Sequence, residues 1–297
     1  MTERIVQTIR TVPLIRDEIA ARRAAGATVG FVPTMGALHA GHTALVERAA
    51  REHDVVVVSI FVNPAQFNRA EDLEQYPRDE AADVKAAGAA GATICFTPSV
   101  TEIYPADFAS SVQVRGPLTE TLEGQDRGVG HFDGMATVVT ILLNIVGADV
   151  AYFGAKDAQQ ALVVQRFVRD LRIPTEIVTS ATVRDQDGLA LSSRNARLTA
   201  DGREQALAIS AALQAAANAI SNGSADSPEA ASAAGIDRLR VAGITADYFM
   251  IADPLTLEPA SQLSGTLLIA CAATVDGVRL IDNLTVSANR EAATANC

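Results

Sequence analysis

The first 182 residues alternate between two kinds of hydrophobic pattern. Short continuous apolar runs predict buried strands at TVGFVPT, DVVVVSIFV, ATICFTP, DVAYF and TEIVTSATV. Longer segments with periodic apolar residues predict helices at PLIRDEIAARRAAG, GHTALVERAAREH, RDEAADVKAAGAAG, HFDGMATVVTILLNIVG and DAQQALVVQRFVRDL. Val- and Ile-rich strands separated by helices are typical of a parallel sheet that is covered on both faces. We therefore predict that residues 1–182 form an α/β domain, a Rossmann-like doubly wound parallel sheet.

The pattern changes after residue 182. TADGREQALAISAALQAAANAISNG predicts one long Ala-rich helix, and Ser227-Pro228-Glu229 supplies the cap, first-turn proline and acid that begin another. Three apolar runs follow at ADYFMIA, LLIACAATV and VRLIDNLTV, and Asp276-Gly277 between the last two is a strong hairpin signal. Residues 183–297 are therefore expected to form a second, smaller α+β domain that acts as a lid.

Composition and charge narrow the range of partners. The chain has 24 basic and 35 acidic residues, which gives a net charge of −11 at pH 7 and disfavours a general nucleic-acid binder. The densest apolar run, Val55 to Val62, is far shorter than a membrane span, so we expect no membrane association. The first ten residues, MTERIVQTIR, lack the apolar stretch of a signal peptide, and we expect a cytoplasmic protein.

Cysteine and lysine are both rare in this chain, and their positions bear on its possible sites. Cys95, Cys271 and Cys297 are odd in number and far apart, which supports neither a disulfide framework nor a metal knuckle. Lys85 and Lys156 are the only lysines, and every other basic residue is arginine. Lys85 lies on a predicted helix beside acids and is expected to be solvated. Lys156 follows a strand and a glycine, where a compact point charge has chemical uses that a guanidinium lacks.

We expect the binding and catalytic residues in the loops that join strands to helices, because doubly wound sheets bind ligands beyond the carboxyl ends of their strands. The loop FVPTMGALHAGH places His39 and His42 on one face of the first helical turn, where main-chain amides and the helix dipole attract phosphate. Gly36 and Gly41 let the backbone come close to a ligand. The alternative is that either histidine only caps the helix or lies satisfied at the surface.

Two further loops carry unusual residues. In DVAYFGAKDAQQ, Asp157 and Gln160 have the spacing of a capping box, which competes with a binding role for both. In RDQDGLALSSRN, Ser192, Ser193 and Arg194 offer hydroxyls and a guanidinium, although this triplet alone indicates no more than a turn. No GxxxxGK[ST] phosphate loop is present in the sequence.

Five sequence blocks, taken in order, resemble those of one enzyme family: PTMGALHAGH, SIFVNPAQF, EDLEQYPR, AYFGAKDAQQ and LALSSRN. The first resembles the HxGH signature of the nucleotidylyltransferase superfamily, which includes the class I aminoacyl-tRNA synthetases. Together the blocks resemble the pantothenate synthetase (pantoate–β-alanine ligase) family over nearly the whole chain. The resemblance implies that pantoate, β-alanine and ATP react through an enzyme-bound pantoyl adenylate, with Mg²⁺ accompanying ATP.

The resemblance also implies roles for individual residues. It implies an ATP-binding segment at Met35, Gly36, Ala37, Leu38, His39, Ala40, Gly41 and His42, with His42 as proton donor and His39 as its phosphate-contacting companion. It implies further ATP contacts at Gly154, Ala155, Lys156, Asp157, Val183, Leu191, Ser192, Ser193 and Arg194. Gln66 and Gln160 are implied to hold pantoate, with Gln66 also near β-alanine. Charge stabilisation during catalysis is assigned to the two histidines, Lys156, Ser192, Ser193, Arg194 and Mg²⁺.

The chain departs from the family pattern at a few positions. Ala155 and Ala158 replace a common Glu and an aromatic residue, and Leu191 stands where Met is frequent. His131 and Phe132 fit a family block without an assigned step. The resemblance also implies a homodimer.

Two alternatives remain beside this interpretation. One is a synthetase fragment or another adenylyltransferase, which the acidic charge and the absence of a basic RNA-binding appendage disfavour. The other is a nucleotide-binding regulator whose catalytic loop has decayed, which the intact Lys156 and SSR triplet disfavour.

Overall fold

A computed structural model describes residues 6–288 of the chain. The described chain divides into two compact units, and the division falls between Val183 and Arg184. Cys297 lies outside the described residues. Cys95 and Cys271 are buried free thiols, and burial raises the pKa of each to about 12.

The first unit is built on a six-stranded parallel sheet. Its strands in chain order are β1 Gln7–Ile9, β2 Val29–Thr34, β3 Val55–Ile60, β4 Ile94–Phe96, β5 Val150–Gly154 and β6 Glu176–Ser180. Their spatial order is β1-β4-β3-β2-β5-β6, and every neighbouring pair is parallel. The chain proceeds from β2 outward to β3 and β4, and then from β5 outward to β6. The winding direction therefore reverses between β2 and β5, which is where open α/β sheets bind ligands.

Helices connect these strands. They are α1 Val12–Ala24, α2 Ala40–Glu52, α3 Ala70–Glu74, α4 Glu80–Ala89, α5 Val100–Ile103, α6 Pro117–Glu120, α7 Glu123–Arg127, α8 Val129–Val146 and α9 Ala158–Asp170. The five predicted strands and five predicted helices of this unit are all present. The pattern missed β1 and the short helices α3, α5, α6 and α7, because segments of three to five residues are too short to show a period.

Helix α8 is the most apolar helix of the first unit. By length and composition it is the one described helix that could cross a membrane. However, 61% of it is buried inside the protein, and its buried residues include Phe132, Met135 and Leu143. Helix α8 is therefore placed as a core helix of this unit.

The second unit combines two helices with an antiparallel sheet. The elements are α10 Ala200–Ser221, α11 Pro228–Val241, β7 Ala246–Ala252, β8 Gly265–Val275 and β9 Val278–Ala288. The sheet order is β7-β8-β9. Asp276 and Gly277 join β8 to β9 with φ values of 52° and 71°, as the predicted hairpin turn requires. The predicted cap is also confirmed, because the Ser227 hydroxyl accepts the Ala230 N–H at 3.2 Å. The α+β prediction for this part of the chain is therefore correct.

Candidate active site

The loop that follows β2 makes a tight turn at the switch point of the sheet. The Thr34 hydroxyl accepts the Gly36 N–H at 3.2 Å and donates to the Ser59 carbonyl at 2.7 Å. Gly36 has a φ of 84°, and a Cβ there would lie 2.7 Å from Asp83 Oδ2. Ala37 follows with a φ of 51°, which is unfavourable for a residue that has a side chain. This turn directs the chain into α2.

Asp83 of α4 holds this turn in place. Its Oδ2 accepts the Ala37 N–H at 2.9 Å and its Oδ1 accepts the Leu38 N–H at 2.7 Å, with only 5% of the residue exposed. The sequence pattern does not mark Asp83, because this residue lies among other acids in DEAADVKAAG. A signal was present, however. Asp83 lies four positions before the buried Ala87, on the apolar stripe of the helix.

His39 and His42 lie together at the start of α2. His39 is the N-cap residue, and its Nδ1 accepts the Gly41 N–H at 3.1 Å. The Nδ1 of His42 accepts the His39 N–H at 3.4 Å, and the two ring centroids are 4.1 Å apart. An acceptor Nδ1 places the proton of a neutral imidazole on Nε2. Both histidines therefore cap the helix, and each also carries an Nε2–H donor outside the cap. Capping thus does not exclude a binding role, which stays a prediction.

The expectation that main-chain amides would supply the phosphate donors is wrong for most of this loop. Amides that already have partners inside the protein are those of Gly36, Ala37, Leu38, His39 and Gly41. A main-chain N–H that already donates to a protein acceptor is a poor donor to a bound anion. The imidazole Nε2–H groups are therefore the better placed donors in the segment from Met35 to His42.

The loop after β5 lies close to the two histidines, since its charges influence their titration. Burial lowers the pKa of His39, and the positive charge of Lys156 lowers it further. Burial lowers the pKa of His42 to about 4, with a smaller contribution from His39, while Asp157 opposes the change. Both histidines are therefore neutral at pH 7. Lys156 and Asp157 are close enough to both rings to influence their titration.

The segment from Gly154 to Asp157 joins β5 to α9. Ala155–Asp157 form a single 3₁₀ turn, and Asp157 takes the N-cap position of α9 without a capping hydrogen bond from its side chain. The capping-box alternative is therefore wrong. Within the described residues, no hydrogen bond holds the side chain of the half-buried Gln160. Its amide remains able to bind a ligand.

The neighbouring Gln159 has a structural role. It is 5% exposed, and its Oε1 accepts the Glu123 N–H at 3.0 Å. Its Nε2 donates to the carbonyls of Leu118 and Thr121 at 3.0 and 2.8 Å. Gln159 thus anchors the short helices α6 and α7 to α9. The two adjacent glutamines of DAQQ differ because only the first faces this segment.

Gln66 lies in the short turn that follows β3. Its Nε2 donates to Met35 Sδ at 3.0 Å, which joins the turn to the histidine loop. The main-chain carbonyl of Gln66 accepts a hydrogen bond from His131 Nδ1 at 2.7 Å. A Cβ at Gly134 would lie 2.1 Å from the Ala65 carbonyl oxygen, so α8 approaches this turn as closely as only glycine allows. His131 is thereby assigned a place, namely support of the Gln66 backbone.

The remaining predicted residues follow β6 or belong to the second unit. Val183 lies beyond the end of β6, in the loop that leaves the first unit. Leu191 and Ser192 precede the 3₁₀ turn Ser193–Arg197, and the Ser192 hydroxyl accepts the Arg194 N–H at 3.2 Å. These residues belong to the second unit. Their role toward ATP stays a prediction. So does a role for Mg²⁺, because residues 6–288 contain no group of three His, Cys, Asp or Glu side chains able to hold a metal.

A parallel sheet whose winding direction reverses beside paired histidines and a lysine is typical of α/β enzymes that bind anionic ligands. Residues 7–285 match the model of the family described as pantoate–β-alanine ligase. A pantothenate synthetase of Cereibacter sphaeroides is 50% identical over 278 residues, which cover 94% of this chain and 99% of that protein. The chain belongs to the pantoate–β-alanine ligase family.

Solved structures agree with this assignment. The pantothenate synthetase of Thermus thermophilus is 46% identical and superposes with a TM-score of 0.88, covering 95% of this chain and 100% of that one. The pantoate–β-alanine ligase of Francisella tularensis, solved with β,γ ATP and β-alanine, is 32% identical with a TM-score of 0.75. It covers 94% of this chain and 97% of its own. The family and the two-part fold predicted from the sequence are therefore confirmed.

Proposed function

We propose that this chain condenses (R)-pantoate with β-alanine in an ATP-dependent reaction that forms pantothenate, AMP and pyrophosphate through pantoyl adenylate. The observation that carries the proposal is the pair of neutral histidines beside Lys156 at the switch point of the sheet, in a chain of this family. The overall reaction follows from the family. The assignment of residues to individual steps rests on the local geometry.

In the first step a carboxylate oxygen of pantoate attacks the α-phosphorus of ATP. The bond from the α-phosphorus to the bridging oxygen breaks, and pyrophosphate leaves with that electron pair. Negative charge increases on an already anionic phosphate chain, so fixed donors are needed. His39 and His42 supply Nε2–H donors and Lys156 supplies a positive charge. With its low pKa, His42 acts at neutral pH as a hydrogen-bond donor to this charge.

In the second step the amine of β-alanine attacks the acyl carbon of the adenylate. The acyl–oxygen bond breaks, AMP leaves with its electron pair, and the amine loses a proton. Gln66 and Gln160 are proposed to hold pantoate, since an amide N–H donates to a carboxylate and an amide oxygen accepts from a hydroxyl. Gln66 is also proposed to lie near β-alanine.

The remaining nucleotide contacts are proposed from the family motifs. They are Met35, Gly36, Ala37, Leu38, Ala40, Gly41, Gly154, Ala155, Asp157, Val183, Leu191, Ser192, Ser193 and Arg194. Mg²⁺ is proposed to enter as part of MgATP, because this ion keeps several waters and needs only one or two protein carboxylates beside phosphate. We propose Asp157 as a carboxylate for this contact, because it is exposed and lacks a capping bond.

Partners and location are also proposals. We propose a cytoplasmic homodimer that binds its three small-molecule substrates and neither nucleic acid nor membrane. The acidic net charge of −11 supports the exclusion of nucleic acid. The homodimer rests on the family resemblance, and light scattering of the purified protein tests it.

An isotope-exchange assay tests the mechanism. Purified protein is incubated with MgATP, pantoate and labelled pyrophosphate, with and without β-alanine. Exchange into ATP is expected without β-alanine because adenylate formation is complete and reversible, whereas AMP and pantothenate should accumulate only after β-alanine is added. Exchange that requires β-alanine would contradict the adenylate. ADP as product would indicate phosphoryl transfer, and no turnover at all would indicate a regulator.

A further inference from the structure

A chain of side-chain hydrogen bonds runs from Tyr104 to Gln66 beneath the histidine loop. The Tyr104 hydroxyl donates to Asn63 Oδ1 at 2.7 Å. The Nδ2 of Asn63 donates to Gln66 Oε1 at 2.9 Å. Gln66 Nε2 in turn donates to Met35 Sδ at 3.0 Å. All three bonds have the same direction, with each donor pointing toward the ATP-binding segment.

Asn63 is central to the donor-to-acceptor direction of these hydrogen bonds. Asn63 is only 1% exposed, and each end of its amide has two partners. Its Oδ1 accepts from Tyr104 and from the Ala65 N–H at 3.3 Å, while its Nδ2 also donates to the Gly134 carbonyl at 3.1 Å. Because a main-chain N–H can only donate and a carbonyl can only accept, these two longer bonds favour the same orientation of the Asn63 amide that the Tyr104 hydroxyl stabilises. The shorter of its two acceptor bonds is the one from Tyr104.

The orientation of the Asn63 amide determines that of the Gln66 amide. An amide that must accept from Asn63 Nδ2 presents its Oε1 to the protein interior and its Nε2 to the other side. Nε2 carries two hydrogens, and the thioether sulfur of Met35 is a weak acceptor that a ligand oxygen readily replaces. Gln66 is therefore held ready to donate to an oxygen of a carboxylate. In the reversed orientation its carbonyl oxygen would face, and repel, that carboxylate.

Tyr104 is well suited to maintain this arrangement. Burial raises the pKa of Tyr104 to about 12, so its hydroxyl remains a donor throughout the working pH range. Its ring lies between Phe61 and Phe108, with centroid distances of 6.2 and 5.0 Å. A phenylalanine at this position would keep that packing and lose only the hydroxyl.

We propose that Tyr104 is a positioning residue for the substrate carboxylate: through Asn63 it holds the Gln66 amide with Nε2 as the donor facing the ligand. The proposal rests on the assignment of Gln66 to pantoate made above. It adds a residue that no sequence block singled out and that acts through Asn63 and Gln66.

The test compares Tyr104→Phe with Tyr152→Phe. Tyr152 is a fully buried tyrosine of the same unit, whose hydroxyl donates to Glu52 at 2.6 Å, at the opposite end of α2 from the two histidines. Tyr104→Phe should raise the KM for pantoate about fivefold to tenfold, as expected for loss of one partly buried hydrogen bond, and leave the KM for ATP unchanged. Tyr152→Phe should affect melting temperature only. Equal pantoate KM values for Tyr104→Phe and wild type would overturn the proposal.

A double-mutant cycle with Gln66→Ala separates positioning from general stability. If Tyr104 acts through Gln66, Tyr104→Phe should change the pantoate KM by less than about twofold in the Gln66→Ala background. An undiminished effect there would mean that Tyr104 acts by another route, and the proposal would fail. The wild-type exchange assay distinguishes this failure from a wider one. Wild-type protein without pantoate-dependent exchange would overturn the proposed function, and this proposal with it.

Discussion

The imidazole rings of His39 and His42 lie 4.1 Å apart, and each accepts a main-chain N–H through Nδ1. One atom of each ring thus stabilises α2 while the other, Nε2, remains available as a donor. Substitutions that mimic only one of the two nitrogens should separate these roles. Asparagine places an oxygen near the position of Nδ1 and has nothing at the position of Nε2.

We therefore predict that His42→Asn keeps the cap and loses the phosphate donor. Turnover should fall roughly 10²- to 10³-fold, the usual loss for one transition-state donor, with little change in melting temperature. His42→Ala should lose the same activity and also about 1 kcal/mol of stability, because the cap is removed. The measurements are steady-state kinetics at saturating substrates and thermal unfolding. Turnover of His42→Asn within about threefold of wild type would exclude a role for Nε2.

The low pKa of His42 predicts a pH dependence of stability. Its pKa in the folded protein is about 4, below the ordinary value of 6.5, so the unfolded chain binds this proton first. The stabilisation from neutral His42 is complete above pH 6.5 and decreases as the pH falls from 6.5 to about 4. Wild-type protein should therefore lose up to about 1.4 kcal/mol per pH unit relative to His42→Asn in that window. Parallel melting profiles of the two proteins from pH 7 to pH 4 would contradict the burial of a neutral imidazole.

Lys156→Arg tests whether the site needs a compact charge. A guanidinium is wider than an ammonium and should not fit among closely spaced phosphate oxygens, so the variant should lose nearly as much activity as Lys156→Ala. Lys85→Arg is the matched control, since Lys85 is the other lysine and lies exposed on α4. Full activity in Lys156→Arg would show that the lysine is incidental.

Asp83→Asn tests the support of the histidine loop. The substitution replaces one acceptor oxygen by an NH₂ group that faces a main-chain N–H, which should destabilise the protein by roughly 1–3 kcal/mol. The displaced loop should raise the KM for ATP by tenfold or more, roughly what misplaced catalytic groups cost. Asp79→Asn changes the same charge on the same helix but keeps an N-cap acceptor for the Ala82 N–H. Similar ATP kinetics for both variants would mean that Asp83 does not shape the site.

The sequence predicted the larger elements well because their patterns are long. Strand β3 is buried from Val55 to Ser59, and helix α9 repeats its apolar face over 13 residues, so each carries its own signal. The family blocks marked His39, His42 and Lys156 directly. The order of the strands, and thus the switch point between β2 and β5, required the structure.

Asp83 and Tyr104 were not predictable in the same way. Both act on loops distant in sequence: Asp83 reaches Ala37 and Leu38, and Tyr104 reaches Asn63. Such contacts depend on which loops lie side by side in the fold. The periodicity of apolar residues along the sequence does not predict them. Of the main-chain amides expected to be free before and at the start of α2, two are bound by Asp83 of another helix, namely those of Ala37 and Leu38. The amides of Gly36, His39 and Gly41 have partners within the loop itself.

The adjacent glutamines of α9 provide a matched pair for the last prediction. Gln159 makes three hydrogen bonds to the segment from Leu118 to Glu123, whereas within residues 6–288 no hydrogen bond holds the side chain of Gln160. Gln159→Ala would leave buried main-chain groups unpaired and should cost roughly 3 kcal/mol, measured by chemical unfolding. Gln160→Ala should unfold like wild type, yet raise the pantoate KM and lower turnover, because only this amide is available to the substrate. The reverse outcome, in which Gln160→Ala is destabilised and kinetically normal, would mean that Gln160 does not bind pantoate.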